Sequence, residues 1–442
     1  MSRRSHLRRA EPWRRPDFLK LWAGQTVSKA GGLVTEVTLP LAAILTLRAS
    51  AAQVALLTGA GIAPRLALGL FAGVWVDRAR RRPLMLAADV MRVAIVASVP
   101  VAALLGQLHI VQLYLVALSS SALSALFDVA YPAYLPTLVS SEELLDANSL
   151  LAASGAVAEV AGFGGAGALV QALTAPIALA VDAASYVVSA LSLLLIRARE
   201  PRPERVTSVP ANEGEQETAR TVWLDMVAGL RLLARDPVLR ALAGASGMFE
   251  LFGGMIGVVL MLYLVRDVHL SPSALGFVFG VGGVSAFAGT LLAGRATRRW
   301  GLGWTVIGGL AIYTCSAVLM PLASGPAWLA LALLTVAQIT DCAHTVYSVG
   351  RATLLQGMKA PSALGRVHAG VQTVESLATL AGVALGGVLG EAVGPRATLF
   401  IAATGLLLAP LRLARSPLRR LQSLQAPPAD QGVLIAPPVT TA

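Results

Sequence analysis

Glu36, Arg65, Asp341 and Glu375 interrupt long apolar runs of this chain, where charge is hardest to keep. An ionisable group inside a membrane span costs about 2.5–3.5 kcal/mol on insertion scales, so each needs a partner or a role. Glu36 is the leading candidate to carry a proton or attract a cation; the other reading makes it a structural partner of Lys29 or Arg65. Asp341 and Glu375 are the next candidates, and Arg65 is central in its own run. His344 lies one turn from Asp341, yet a lone His on an apolar helix is commonly hydrogen-bonded core. Asp89 and Arg92, at i,i+3, are spaced to pair with each other. Cys315 and Cys342 lie within separate apolar runs and supply no disulfide framework, and no His/Asp/Glu cluster has metal-ligand spacing. No metal and no cofactor are expected, and the chain is read as something other than an enzyme.

The elements that must position these residues are twelve apolar stretches. They run over residues 18–47, 53–76, 84–106, 111–138, 148–172, 175–196, 238–265, 272–294, 303–323, 327–350, 365–391 and 395–413. A hydrocarbon core about 30 Å thick needs roughly 20 apolar helical residues to cross it. Lipid offers no hydrogen bonds, so such stretches must be helical. The expected fold is an all-α membrane protein with two six-helix bundles. Composition agrees, with 56% hydrophobic and 13% charged residues where a soluble domain carries about 25% charged.

The net charge of +11 is a topology signal rather than a nucleic-acid footprint, because alternate loops hold nearly all of it. Arg78 to Arg82, the 197–240 segment, Arg295 to Arg299 and the tail from Arg412 all fall on one side, whereas the other side offers Arg48, Arg266 and Arg396. Basic loops stay cytoplasmic, so both termini are expected in the cytoplasm of a multi-pass inner-membrane protein. The basic residues 1–17 lead into a span too long for a signal-peptide core, so no cleavage is expected. Three lysines among abundant Arg, Ala, Gly and Leu suggest a GC-rich bacterial genome.

The organisation that follows is a basic tail (1–17), a six-helix bundle (18–196), a cytoplasmic linker (197–237), a second bundle (238–413) and a tail (414–442). The linker ends in an amphipathic piece whose stripe runs through Trp223, Val227, Leu230 and Ala234. It is read as lying in the membrane interface. The halves echo each other at an offset of 217–219: Asp77 to Arg82 matches Gly294 to Arg299, and Gly162 to Gly167 matches Ala381 to Gly386. Gly162, Gly167, Gly382 and Gly386 are expected to allow close helix packing. Gly162 to Gly167 also spells a dinucleotide fingerprint, which a membrane helix without a preceding strand excludes. No phosphate-binding Walker loop occurs, so the chain does not hydrolyse ATP itself.

The most specific local signal is Gly73-Val-Trp-Val-Asp77-Arg78-Ala-Arg80-Arg81-Arg82. It resembles the signature loop of the major facilitator superfamily, with Arg80 standing at the usual second glycine. That resemblance implies that Gly73, Asp77, Arg78, Arg81 and Arg82 gate the cytoplasmic side. Phe18-Leu-Lys-Leu-Trp22 with Ser28, Pro64-Arg65, Phe127 to Pro136, Ala147-Asn148 and the glycines from Gly162 extend the likeness. They make the chain similar to the branch containing enterobactin and macrolide exporters. Phe163 replaces a frequent proline, and span 4 lacks the arginine of many proton-coupled relatives. The resemblance implies a monomeric, multidrug-like efflux antiporter, exchanging protons for an amphipathic drug-, antibiotic- or siderophore-like molecule by alternating access. An importer or uniporter of a small metabolite is the rival reading within transport; a non-transporting membrane sensor or assembly partner is the rival from another class. The partners expected are a small-molecule substrate, protons and the lipid bilayer, without nucleic acid.

Overall fold

The computed structural model describes residues 12–69, 76, 79–198, 200, 227, 229–357 and 361–420 of the 442-residue chain. Twelve helices long and apolar enough to cross a membrane fill it. In the first half they are α1 (Pro16–Leu41, continued by a π-helical turn Ala42–Thr46), α2 (Ala51–Gly69), α3 (Arg81–Leu104), α4 (Ile110–Tyr134), α5 (Leu144–Leu173) and α6 (Ala175–Leu195). In the second they are α7 (Pro237–Arg266), α8 (Pro272–Trp300), α9 (Leu302–Ala317 with Leu319–Leu322), α10 (Ala327–Ile339 with Asp341–Gly357), α11 (Pro361–Ala392) and α12 (Pro395–Leu406 with Leu408–Ala414). No strand occurs among the described residues.

The sequence carries the reasons for these limits. Proline opens α1, α7, α8, α11 and α12, where its missing N–H has no intrahelical partner to lose. Asp236 caps α7 by accepting from the Val238 and Leu239 amides at 2.9 and 3.2 Å. The helix α8 runs on past 294 through Arg295, Arg298 and Arg299 to Trp300. Cations in a last turn favour the carbonyl end of the helix dipole, so these arginines prolong the helix that they were expected to follow. Gly301 then turns the chain straight into α9 at φ 76°.

Packing repeats between halves. The contacts α1–α5, α1–α6, α2–α4, α3–α4 and α3–α6 recur as α7–α11, α7–α12, α8–α10, α9–α10 and α9–α12. The halves meet mainly through α2 against α11 and α5 against α8. One apolar core draws on both halves and gathers around the connections between α1 and α2 and between α7 and α8; Leu41, Ala55, Val170, Val259, Leu275 and Val383 belong to it. Toward the other end, which carries Arg81 and Arg299 and is here called the basic end, two separate cores form. Phe18, Met85, Phe127 and Tyr134 build one within the first half. Leu239, Leu310, Tyr347 and Leu413 build the other within the second. Among the described residues, the halves are therefore sealed together at one end and packed in separate cores at the other.

Before α7, residues 229–235 are helical. Gly229 and Leu233 are buried, Leu230 is half-buried, and Ala234 is exposed. The buried side thus differs from the expected stripe, because Gly229 lets this segment press onto the backbone of α11 near Gly370. Trp223 lies outside the described residues.

Candidate functional site

Five ionisable residues of the first half stand on α1, α2, α4 and α5: Lys29, Glu36, Arg65, Asp128 and Glu159 are all exposed at membrane depth. Glu36 has Arg65 and Glu159 as its charged neighbours. Asp128 has Arg65, Arg92 and Lys29. None of the five joins an ion pair among the described residues. Glu36 is therefore near Arg65 without being paired to it. Lys29 reaches across to α5, where a Cβ on Gly155 would lie 2.7 Å from its Nζ.

Deeper in the same half the charges are spoken for. Arg92 donates to Asp89 at 2.6 Å, and the Ser189 hydroxyl donates to the other Asp89 oxygen at 2.6 Å. The guanidinium lies over the rings of Phe127 and Tyr186, 4.7 and 4.5 Å from their centroids. Asp182 accepts from Thr35 at 2.5 Å and Ser185 at 3.1 Å. Buried and satisfied, these groups tie α1, α3 and α6 together.

The second half presents Glu250, Asp341, Arg351 and Glu375. Arg351 forms an ion pair with Glu375, and Thr379 donates to Glu250 at 3.0 Å. Asp341 is different: no hydrogen bond or ion pair to its carboxylate occurs among the described residues. It sits where α10 breaks between Ile339 and Asp341. Ser285 of α8 inserts its hydroxyl there, donating to the Ile339 carbonyl at 2.5 Å and accepting from the Cys342 amide at 3.0 Å. A broken helix is tolerated at membrane depth when side chains take up the freed backbone groups.

A cavity of about 250 Å³ joins the two halves at this break. Glu159 and Phe163 of α5 face Phe279, Tyr313, Asp341 and His344 across it. Gly282 keeps it open, since a Cβ there would fall 2.6 Å from an Asp341 oxygen. The His344 ring stacks on Phe249 at 5.1 Å between centroids and tilts against Tyr313 at 4.9 Å. Carboxylates beside aromatic faces can hold an organic cation through charge and through the ring quadrupole. No grouping of three or more metal-ligating residues occurs among the described residues.

Gly73, Asp77 and Arg78 lie outside the described residues. The Arg81 and Arg82 amides donate to the two Glu200 carboxylate oxygens at 2.8 and 3.1 Å. The Arg82 guanidinium donates to the Leu193 and Leu194 carbonyls at the end of α6, at 2.9 and 3.0 Å. The Arg82 guanidinium thus binds its own half, and both amides hold the start of the linker. A Cβ on Gly162 would lie 2.7 Å from the Leu33 Cβ of α1. Gly382 and Gly386 lie against Leu251 and Met255 of α7, the corresponding contact in the second half. Gly167 meets Gly276 of α8 across the halves.

Sequence reasoning did not find two polar clasps at the sealed end. Arg266 donates to the Ala49 carbonyl at 2.7 Å, and Glu391 accepts from the Ala52 amide at 3.1 Å. Their signal is visible in hindsight as charge at span ends on an otherwise neutral side. Ser285, Phe279 and Tyr313 gave no signal, because serine and aromatics are ordinary in apolar helices.

The sequence profile of the Major Facilitator Superfamily matches residues 21–339 and 242–439. The chain belongs to this superfamily. It is 27% identical over 394 residues to the uncharacterized MFS-type transporter YfiS of Bacillus subtilis, covering 85% of this chain and 87% of YfiS. Among solved structures, the nucleoside transporter NupG superposes with a TM-score of 0.72 at 12% identity, covering 90% and 98% of the two chains. A bacterial homologue of the iron transporter ferroportin in its inward-facing state gives 0.67 at 18%, covering 90% and 98%. This major facilitator is a multi-pass membrane transporter.

Proposed function

We propose that this major facilitator exports an amphipathic, positively charged small molecule across the cytoplasmic membrane in exchange for protons. The observation that carries the reading is the unpartnered Asp341 carboxylate, which faces Glu159 across the cavity joining the halves. Apart from the satisfied Asp89, Asp182 and Arg92, six carboxylates at membrane depth (Glu36, Asp128, Glu159, Glu250, Asp341 and Glu375) accompany three cations (Lys29, Arg65 and Arg351). That balance attracts a cation, and the aromatic faces beside it suit an apolar body. Glu375 is already neutralised by Arg351, so of the three carboxylates singled out in the sequence Glu36 and Asp341 remain free to exchange a proton.

The arginine-rich loops support a cytoplasmic basic end with both termini inside. With the halves sealed at the opposite end, substrate enters from the cytoplasm and leaves when the seal moves to the basic end. Asp77 is assigned to hold that second seal. The drug- and siderophore-exporter likeness supports the outward direction, and the transporter acts as a monomer.

Everted membrane vesicles loaded by uptake of ethidium test this. Acidifying the lumen should drive accumulation, and an uncoupler should abolish it. Glu36→Gln and Asp341→Asn should each lose uphill accumulation while allowing downhill movement. Linkage requires that proton and substrate weaken each other's binding equally. Accumulation that survives the uncoupler would exclude proton exchange, and full activity in both variants would remove these carboxylates from the mechanism.

A further inference from the structure

Behind α10, on the side away from the cavity, α8 and α9 splay apart and leave a groove of about 610 Å³. Cys342, Ala343 and Val346 form its floor, whereas Asp341, His344 and Thr345 of the same helix line the central cavity. Its walls are apolar, with Gly308 leaving open space: a Cβ there would meet nothing within 4 Å. From Trp304 to Ile312 the groove spans nine residues, about 12 Å of helix, which fits within one leaflet of a core about 30 Å thick.

The mouth of the groove is basic. Arg295 and Arg299 stand one helical turn apart and exposed, and no acidic residue lines the site. The Arg295 guanidinium donates to the Leu291 carbonyl of its own helix at 3.2 Å, so neither arginine has a described carboxylate partner. Trp300 and Trp304 flank them, 62% and 55% exposed, as aromatic rings do at the level of lipid headgroups. These arginines also belong to the second-half echo of the signature loop, and the transport reading gives them no task.

We infer that this groove seats an anionic glycerophospholipid, its phosphate against Arg295 and Arg299 and one acyl chain along Gly308 and Val346. The charge complementarity is one-sided, and the surrounding solvent is itself made of acyl chains, so a lipid is the occupant that fits both ends of the groove. Basic pockets between membrane helices take anionic headgroups in this way. A chain seated there packs directly behind the break in α10 that presents Asp341.

Native mass spectrometry of the full-length transporter, exchanged into detergent with phosphatidylglycerol or phosphatidylcholine, tests the assignment. Each arginine near a membrane surface contributes about a fivefold preference for an anionic lipid, so the pair should give roughly twenty- to thirtyfold more retained phosphatidylglycerol. Arg295→Gln with Arg299→Gln should reduce that to the phosphatidylcholine level. Gly308→Phe, which fills the groove and leaves both arginines, should do the same. Equal retention of the two lipids by the native chain would overturn the proposal. So would loss in the arginine variant alone with full retention by Gly308→Phe, since the headgroup would then be held without a seated chain. Both variants change open positions, and their thermal melts should match the native protein.

Discussion

Gly276→Ala adds one carbon where two helices touch backbone to backbone. The new Cβ would lie 2.9 Å from Gly167 Cα and 3.0 Å from both the Gly164 carbonyl oxygen and the Gly167 amide nitrogen. Ordinary contact begins at 3.4 Å, so α5 and α8 must part by about half an ångström, with no flexible side chain to yield. Overpacking of this kind costs about 1–3 kcal/mol. The cost falls only on the conformation sealed at this end, because the helices separate here when the seal moves. The equilibrium should therefore shift by about 5- to 150-fold toward the conformation open at this end. Spin labels at Leu145 and Arg298, at the basic ends of the two halves, would report it in a background with Cys315 and Cys342 replaced by alanine. The distance between them should shorten, and transport should fall because one state is depleted. Gly165→Ala is the control, since a Cβ there meets nothing within 4 Å. An unchanged distance distribution and native transport in Gly276→Ala would refute the reasoning, as would an equal effect from Gly165→Ala.

Three further outcomes are expected. Ser285→Ala leaves the Ile339 carbonyl and Cys342 amide without their partner; at about 0.6 to 1.7 kcal/mol for each interhelical bond, it should lower the thermal midpoint and slow transport. Arg92→Gln leaves Asp89 buried and uncompensated at a cost of about 3–5 kcal/mol; folded yield in membranes should collapse, and Asp89→Leu with Arg92→Met should recover much of it. Glu143 accepts from the Ser140 amide at 2.8 Å and from Arg15, and these bonds hold its carboxyl below the usual value of 4.5. A depressed folded value means the stabilisation is present above about pH 4.5 and is lost as pH falls through the lower folded value. Thermal melts across that acid range should show a slope that Glu143→Gln flattens.

The twelve helices were legible because apolar length alone decides them in lipid. Their ends were less so: α8 continues through three arginines and α10 runs to Gly357, because helical backbone extends beyond the apolar stretch into polar ends. Arg65, Glu36 and Asp341 stood out in sequence as charges in the wrong solvent. Their pairing did not, since Glu375 and Arg351 lie on different helices and only the packing of α10 against α11 joins them. The break in α10 was invisible for a similar reason. No proline or glycine marks Thr340, and the group that stabilises the break, Ser285, comes from another helix.

On the proposed alternating-access reading, every turnover parts and rejoins the seam at the sealed end. Much of that seam is glycine and alanine backbone: Gly167 on Gly276, Gly164 on Gly280, and Ala52 and Ala55 beneath Gly387. Such surfaces have few rotamers to reset, so the helices can slide apart without the side-chain rearrangement that interlocked leucines would demand. The Arg266 and Glu391 clasps are hydrogen bonds to peptide groups, and water can take over those bonds as they break. Where these backbones meet, the seam is thus a low-friction bearing.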